Sequence, residues 1–246
     1  MLPFTYTSNK RLLPPVFSGS TLKSIALITM LIDHIGAVFL EKGVISAYNQ
    51  GLPSALSYEE SLFFSNLDQI LRNIGRIAFP IFAFQISEGY THTKNLKKYF
   101  FRLILFAFLS QIPFMLFRSL YTTGFSLNIF FTLTIGLLAI FCYDKLSTTT
   151  LQFVKNEKIN WTIKHLLGIL TAILFGFIAE YACFDYGFFG TAIIFLFYVF
   201  RSHKFWMCST FILACIIKYG LNIYFYGYHY LYVLLGLFTA LSIVFI

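Results

Sequence analysis

The sequence predicts an all-α integral membrane protein, a polytopic bundle of about eight transmembrane helices with both termini in the cytoplasm. Three observations lead to this fold class. Hydrophobic residues make up 58% of the 246 residues and charged residues only 11%, whereas a soluble domain carries about 25% charged residues to face water. The 32 Phe and 16 Tyr suit lipid-facing and interfacial positions. Apolar runs of a length that can cross a bilayer recur along the whole chain.

The N-terminal segment 1–21 is predicted to stay in the cytoplasm, ahead of a single transmembrane domain over 22–246. The first twenty residues contain three prolines and two basic residues, and they lack the apolar core and cleavage site of a signal peptide. Targeting therefore falls to the first span. The four cysteines lie in or beside apolar runs without metal-ligand spacing, which predicts reduced packing residues and no metal.

Eight apolar stretches are the candidate spans, since a helix needs about 20 mostly apolar residues to cross the membrane. They are 22–40, 73–90, 99–117, 125–143, 165–184, 186–200, 205–217 and 219–246. The sixth and seventh are short, so they are either a tight helical pair or half-spans buried against other helices. The last stretch has room for one helix of about 20 residues after a turn near Gly227.

The orientation follows from the basic residues of the loops. With the N-terminus inside, the cytoplasmic segments hold most of the 18 Lys and Arg residues, as is usual for membrane proteins. Topology thus accounts for the net charge of +8 without a nucleic-acid partner, and we expect a multi-pass protein of the cytoplasmic membrane. Residues 41–71 then form a long extracytoplasmic loop, either a solvated connector or a lid over a substrate.

Asp33 and His34 are adjacent ionisable residues inside the first span. Such a group costs at least about 2.5 kcal/mol in the membrane, so it is either a satisfied packing residue or part of a functional site. Histidine is the usual general base near neutral pH. Lys23 lies eleven residues before His34, on the same helix face and about 16 Å away. Lys23 is either a positive-inside anchor or a contact for a phosphate-bearing cofactor that reaches His34 from the cytoplasm.

Arg76 is the basic residue expected deep in the second span. It either pairs with Asp33 or Glu180, which should lie at similar depth, or acts directly in a site. Glu88 approaches the inner face, where it could neutralise the basic loop that follows. Further polar candidates in or beside the spans are Gln111, Asn128 and Asp185. The sequence contains no phosphate-binding loop, dinucleotide fingerprint, zinc spacing or nucleophile elbow.

Five separated segments resemble the TraX family. They are 22–36, 74–84 with the following Ser87-Glu88-Gly89, 110–114, 127–133, and Asp185-Tyr186-Gly187 with Gly190. The resemblance covers roughly residues 20 to 240 in order. TraX-like chains usually continue beyond the equivalent of 230–246 into a basic loop and a further span with a Pro-Leu-His motif.

The resemblance implies an activity and a fold. The named member of the family is linked to N-terminal acetylation of the conjugative pilus subunit, and the family is similar to the membrane acyltransferases. Those enzymes carry an Arg and then a His eleven positions later in the first span. Lys23 and His34 have this spacing, with Lys in place of Arg.

The implied function is an integral-membrane acetyltransferase. Acetyl-CoA would bind from the cytoplasm, and the acceptor would be an amine or hydroxyl of a pilin-like peptide or a surface glycan. His34 would act as general base, oriented by Asp33 or Arg76. The residues expected at the cofactor are Lys23 and, in the basic segment 94–102, Lys97, Lys98 and Arg102.

Two other functions remain open at this point. One is a transporter or flippase in which Asp33, Arg76 and Glu180 form a substrate or proton path, although no inverted repeat is apparent. The other is a non-catalytic membrane assembly factor. Binding of labelled acetyl-CoA would separate the acyltransferase from both.

Overall fold

The computed structural model describes residues 17–49, 56–119, 124–149, 156–226 and 230–246. Throughout this part of the chain the regular elements are helices, with a single β-bridge between Leu127 and Phe184. The all-α prediction is therefore confirmed for the described residues, while most of the N-terminal segment 1–21 lies outside them. Two compact units can be distinguished. The core unit is formed by Ala83–Phe211, and the terminal unit by Leu13–Phe82 with Ile212–Ile246.

The terminal unit begins with one long helix. Ser18 caps it by accepting a hydrogen bond from the Thr21 amide. Its parts are α1 (Gly19–Ile35), a π-helical segment (Gly36–Ile45) and α2 (Ser46–Asn49). The other elements of this unit are α3 (Tyr58–Gly75), the first residues of α4 (Ala78–His92), the end of α9 (Lys204–Tyr226), α10 (Tyr230–Leu241) and a 3-10 turn (Ser242–Val244).

The core unit is built on four helices besides the rest of α4 and the start of α9. They are α5 (Leu96–Arg118), α6 (Ile129–Thr148), α7 (Glu157–Tyr181) and α8 (Gly187–Phe200). An asparagine caps each of α5, α6 and α7, as expected from the preference of Asn for this position. The centre of the unit lies between α6 and α8, where Leu137, Ile140, Ile193 and Ile194 are fully buried.

Several helices of the described part can cross a membrane. Five are long and apolar enough, and two more are apolar but shorter. The five are Gly19–Asn49, Leu96–Arg118, Ile129–Thr148, Glu157–Tyr181 and Lys204–Phe225, and the two are Gly187–Phe200 and Val233–Val244. The chain is thus a multi-pass membrane protein, whereas the count of eight spans, their orientation and the particular membrane stay predictions.

The expected loop 41–71 is largely helical where it is described. The first helix continues to Asn49, and α3 begins at Tyr58 after a capping box between Ser57 and Glu60. A search for uniformly apolar runs passes over α3 because charged and polar residues interrupt its apolar ones. The expected second span is also interrupted, at Arg76 and Ile77 between α3 and α4.

The boundary expected after residue 217 is wrong. Helix α9 continues through Lys218 to Tyr226. One lysine does not break an apolar helix, because its long side chain can carry the charge away from the apolar surface. The turn expected near Gly227 falls outside the described residues.

Candidate functional site

Asp33 is anchored on the side of α1 that packs against α3. Its carboxylate oxygen Oδ2 accepts a hydrogen bond from Nη1 of Arg72 at 3.0 Å, which closes an ion pair. Both side chains are about three-quarters covered, with exposures of 22% and 28%. Helical spacing explains the position of Asp33, because Leu22, Ala26 and Ala37 of the same face are also buried.

His34 follows directly and points elsewhere, since successive residues of an α-helix are rotated by about 100°. It lies on the exposed side of the helix with Leu27, Leu31 and Val38. Its Nδ1 is 2.7 Å from the carbonyl oxygen of Met30. Because a carbonyl can only accept, Nδ1 carries the hydrogen of this bond, and Nε2 is the basic nitrogen of the neutral ring.

Lys23 shares the uninterrupted helix α1 with His34, and both side chains are exposed. The α-helical geometry assumed for the eleven-residue spacing therefore applies over the whole interval. The two side chains lie on one face, separated by about 16 Å along the axis.

Asp33 pairs with Arg72, whereas the sequence interpretation paired it with Arg76. Arg72 lies one helical turn before Arg76 and shares its face, but it precedes the expected second span, so the pairing was assigned to Arg76. Arg76 is the C-cap residue that follows α3, and it interacts electrostatically with Tyr219 of α9. Glu180, the other expected partner of Arg76, belongs to the core unit, where its carboxylate accepts a hydrogen bond from the Phe188 amide at 2.8 Å.

Two further carboxylates surround Arg72. Oε2 of Glu41 lies 4.0 Å from Nε of Arg72, and Asp68 interacts electrostatically with Glu41, Arg72 and Asp33. In the described part of the chain, Oδ1 of Asp33 and Oδ1 of Asp68 are buried without a hydrogen-bond partner. This region of the terminal unit is therefore acidic, and Arg72 is shared among three carboxylates. Among the described residues, no group of His, Cys, Asp and Glu has an arrangement that could hold a metal ion.

Gln111 and the buried Asn128 form an amide pair in the core unit. The Asn128 backbone N–H and side-chain Nδ2 both donate to Oε1 of Gln111, at 3.0 and 2.8 Å, and Nδ2 also donates to the Ala107 carbonyl. Oδ1 of Asn128 accepts from the Phe130 amide and so caps α6. Gln111 in turn donates to the Ser126 carbonyl at 2.8 Å. These bonds tie α5 to the start of α6.

Asp185 belongs to the tight turn between α7 and α8, which is fastened to the same region. Its amide donates to the Leu127 carbonyl at 2.8 Å, and its carbonyl accepts from the Thr132 hydroxyl. Cys183, Tyr186 and Gly187 have φ values of 55°, 63° and 44° in this turn. Backbone contacts hold the turn in this left-handed conformation, with Glu180 bonded to the start of α8. Gln111, Asn128, Glu180 and Asp185 thus all act in the packing of one end of the core unit.

A cluster around Asp144 was missed by the sequence interpretation. The hydroxyls of Tyr90 and Tyr198 donate to Oδ2 and Oδ1 of Asp144, at 2.9 and 3.0 Å. The guanidinium of Arg201 stacks 4.2 Å from the centre of the Tyr198 ring. The three oxygen-bearing side chains connect α4, α6 and α8. Asp144 directly follows the expected fourth span, so it was not considered as an intramembrane acid.

Glu88, Lys97, Lys98 and Arg102 lie where α4 ends and α5 begins. Oε2 of Glu88 is 3.8 Å from Nδ1 of His92. The three basic residues are exposed, and the start of α5 packs closely on α4, since Gly89 leaves room for the Tyr99 ring. An exposed cationic helix start can receive phosphate groups, so the expected cofactor role of these residues stays a prediction.

Comparison with known proteins identifies a family and a curated relative of the chain. The family model described as "TraX protein" matches residues 18–244. The "Probable fimbrial assembly protein FimC, serogroup H1" of Dichelobacter nodosus is 32% identical over 136 residues. That match covers 50% of this chain and 46% of the relative, so it spans about half the length of the curated relative. No solved structure matches the chain.

Proposed function

Because the chain belongs to the TraX family, we propose that it is an integral-membrane acyltransferase that moves an acetyl group from acetyl-CoA to an amine or a hydroxyl. The observation that carries this proposal is the tautomer of His34. The Met30 carbonyl fixes Nδ1 as the protonated nitrogen, which leaves Nε2 as a base on an exposed helix face. A base in this state is what amine or hydroxyl attack on a thioester requires.

The chemical step uses His34 as the proton acceptor. The acceptor nitrogen or oxygen attacks the thioester carbonyl carbon while Nε2 takes its proton, and a new C–N or C–O bond replaces the C–S bond. Coenzyme A leaves as the thiolate, which the imidazolium can protonate. Asp33 and Arg72 hold α1 against α3 through their ion pair, and in this way they position the helix turn that carries the base.

Lys23 is the proposed phosphate contact on the same helix. Its distance of about 16 Å from His34 suits a donor whose phosphates and thioester are at opposite ends of a long flexible arm. Lys remains a good partner for phosphate as a point charge, although it lacks the fork of Arg.

The name of the D. nodosus relative bears on the acceptor. That relative is named as a fimbrial assembly protein, which supports a pilin-like subunit as acceptor ahead of a glycan. The same name also favours a second candidate, a membrane protein that assists fimbrial assembly without catalysis.

The test is acetyl transfer by the purified full chain in liposomes, with labelled acetyl-CoA and a pilin-like N-terminal peptide. We expect His34→Ala to lower turnover by at least about 100-fold, the usual contribution of a general base, while the binding of acetyl-CoA persists. His203→Ala is the matched control, since His203 is also exposed and lies outside the proposed site.

Each outcome of this test decides between the candidates. Near-normal turnover by well-folded His34→Ala would remove His34 as the base. Wild-type protein that neither binds acetyl-CoA nor transfers the label would favour the non-catalytic assembly function.

A further inference from the structure

We propose that α3 is a membrane-inserted arm whose outward apolar side chains contact lipid acyl chains, although its sequence resembles an aqueous loop. The proposal does not depend on the acyltransferase activity. It concerns Tyr58–Gly75, a helix that is not among those whose length and composition alone allow a membrane crossing. The supporting observations are the depth at which α3 contacts α1, the direction in which it runs, and the distribution of its side chains.

The depth of α3 follows from its contacts with the first helix. Arg72 bonds Asp33 at 3.0 Å, and a Cβ added to Gly36 would lie 2.9 Å from Oδ1 of Asp68. Asp33 and Gly36 are near the middle of Gly19–Asn49, a candidate span of 31 residues, roughly 20 Å from either end. Since the hydrocarbon core is about 30 Å thick, the second half of α3 lies at the depth of the bilayer interior.

The direction of α3 follows from the order of these contacts. Gly75 faces Asp33, since a Cβ added there would lie 2.6 Å from Cγ of Asp33. Asp68, seven residues earlier, faces Gly36, which is later in the first helix. The two helices are therefore antiparallel. The chain returns along the helix that it has just left, and the first turn of α3 lies towards the same end as Asn49.

The side chains of α3 are arranged as in a membrane helix. Its charged residues Asp68 and Arg72 face the first helix, whereas Leu62, Phe63 and Ile70 are 50%, 62% and 54% exposed. The exposed polar residues are confined to the first half of the helix: Glu59, Glu60, Ser65 and Asn66. Beyond Asn66, the one residue of α3 that is exposed is the apolar Ile70. This gradient fits a helix that enters the bilayer from an aqueous end marked by the Ser57 capping box.

The neighbouring helix indicates that lipid covers the exposed face of α3. The first helix, on which α3 packs, exposes Ile35 and Phe39 within a segment that itself can cross the membrane. The exposed face of α3 lies at the same depth as these residues, so the same acyl chains can cover both. A protein partner would need to displace lipid at this depth.

The break between α3 and α4 then lies inside the membrane. Irregular backbone at that depth is tolerated only where protein covers it or water fills a cavity. Asn73 and Ile77 are indeed buried, at 4% and 7% exposure. The amides of Arg76 and Ile77 donate to the carbonyls three residues earlier, those of Asn73 and Ile74. The break thus keeps its hydrogen bonds within the chain.

The test uses spin labels on single cysteines of the full chain in liposomes, after replacement of the four native cysteines. We expect Ile70→Cys to collide severalfold more often with oxygen, which dissolves in acyl chains, than with a water-soluble nickel chelate, and Phe63→Cys, nearer the aqueous end, to show a smaller preference for oxygen. Glu59→Cys should show the reverse preference. Ser61→Cys is the inward-facing control, since Ser61 is buried, and should be shielded from both reagents.

Two outcomes would overturn the proposal. Frequent collision of the Ile70 label with the nickel chelate would show an aqueous loop. Shielding of both the Ile70 and Phe63 labels from both reagents would show that a second copy or another protein covers the face.

Benzoylphenylalanine at residue 70 of the otherwise native chain gives a second measurement that leaves the cysteines in place. Photo-crosslinking to lipid is expected there, and crosslinking to protein alone would contradict lipid contact.

Discussion

Replacing Gly75 by alanine tests the close packing of α3 on α1. The added Cβ would lie 2.5 Å from Oδ1 and 2.6 Å from Cγ of Asp33, whereas non-bonded carbon atoms prefer about 3.5–4.0 Å. The obstructing atoms belong to a short side chain close to its backbone, so a change of rotamer cannot clear them all. The two helices must therefore move apart by about 1 Å.

This displacement has a cost that can be estimated. Overpacking a tight contact usually costs about 1–3 kcal/mol. A shift of about 1 Å would also stretch the 3.0 Å bond between Arg72 and Asp33 beyond the range of a hydrogen bond, which adds roughly 1 kcal/mol. We expect Gly75→Ala to lower the free energy of unfolding by about 2–4 kcal/mol, and the melting temperature by on the order of 10 °C.

The measurement is thermal unfolding of the purified protein in detergent, followed by circular dichroism. Gly220→Ala is the matched control, because Gly220 also lies within a helix but an added Cβ would meet nothing within 4 Å. Alanine is favoured over glycine by about 0.5–1 kcal/mol in a helix interior, so this control should melt at the same temperature or slightly higher. Equal melting temperatures for Gly75→Ala and wild type would refute the close contact with Asp33.

Three further predictions concern other parts of the chain. Asp144→Ala should lower the free energy of unfolding by about 2–3 kcal/mol in the same assay, because the hydroxyls of Tyr90 and of the buried Tyr198 lose their acceptor. An unchanged melting temperature would contradict this expectation. Asn128→Ala should cost a similar amount, about 2–3 kcal/mol, through loss of the α6 cap and of the bonds to α5, and retained stability would show the amide pair to be incidental. Hydrogen bonds from the backbone and hydroxyl of Ser57 hold the pKa of Glu60 below its ordinary value of 4.5. The stabilisation that the Glu60 carboxylate gives to the start of α3 is therefore fully present above pH 4.5, and it is lost as the pH falls through the lower pKa of the folded state. Hydrogen exchange of the first amides of α3 should accelerate over that acid range relative to the start of α7, and a constant ratio would argue against the capping box.

Much of the fold follows from composition and local pattern. Few charges and long apolar runs predict membrane helices, and an asparagine before α6 and α7 is a recognisable cap. Helix α3 was missed because Arg72 pairs with Asp33 of the first helix, a tertiary effect that a scan for apolar runs cannot detect. The glycine at residue 75 is required by Asp33, more than forty positions away, and local sequence contains no trace of that contact.

The candidate site was predicted in part. Asp33 and His34 stand out because ionisable residues are rare in spans. The expectation that Asp33 could orient His34 did not take into account the rotation of about 100° between successive residues of a helix. The choice between Arg72 and Arg76 depends on how α3 is rotated against α1, which no local pattern specifies. The Asp144 cluster requires three helices to converge, so each of its residues, taken alone, resembles an ordinary interfacial side chain.

The π-helical segment alters the angular phase of the first helix. In a continuous α-helix, Glu41 would point about 80° away from Asp33. Hydrogen bonds that reach one residue further widen each turn and reduce the rotation per residue. Through this change of phase, two carboxylates eight positions apart can converge on the one guanidinium of Arg72. The spacing of residues that share one face of the helix therefore changes at Gly36. Residues spaced as in an α-helix share the buried face before Gly36, but the same spacing beyond Gly36 places side chains on a different face.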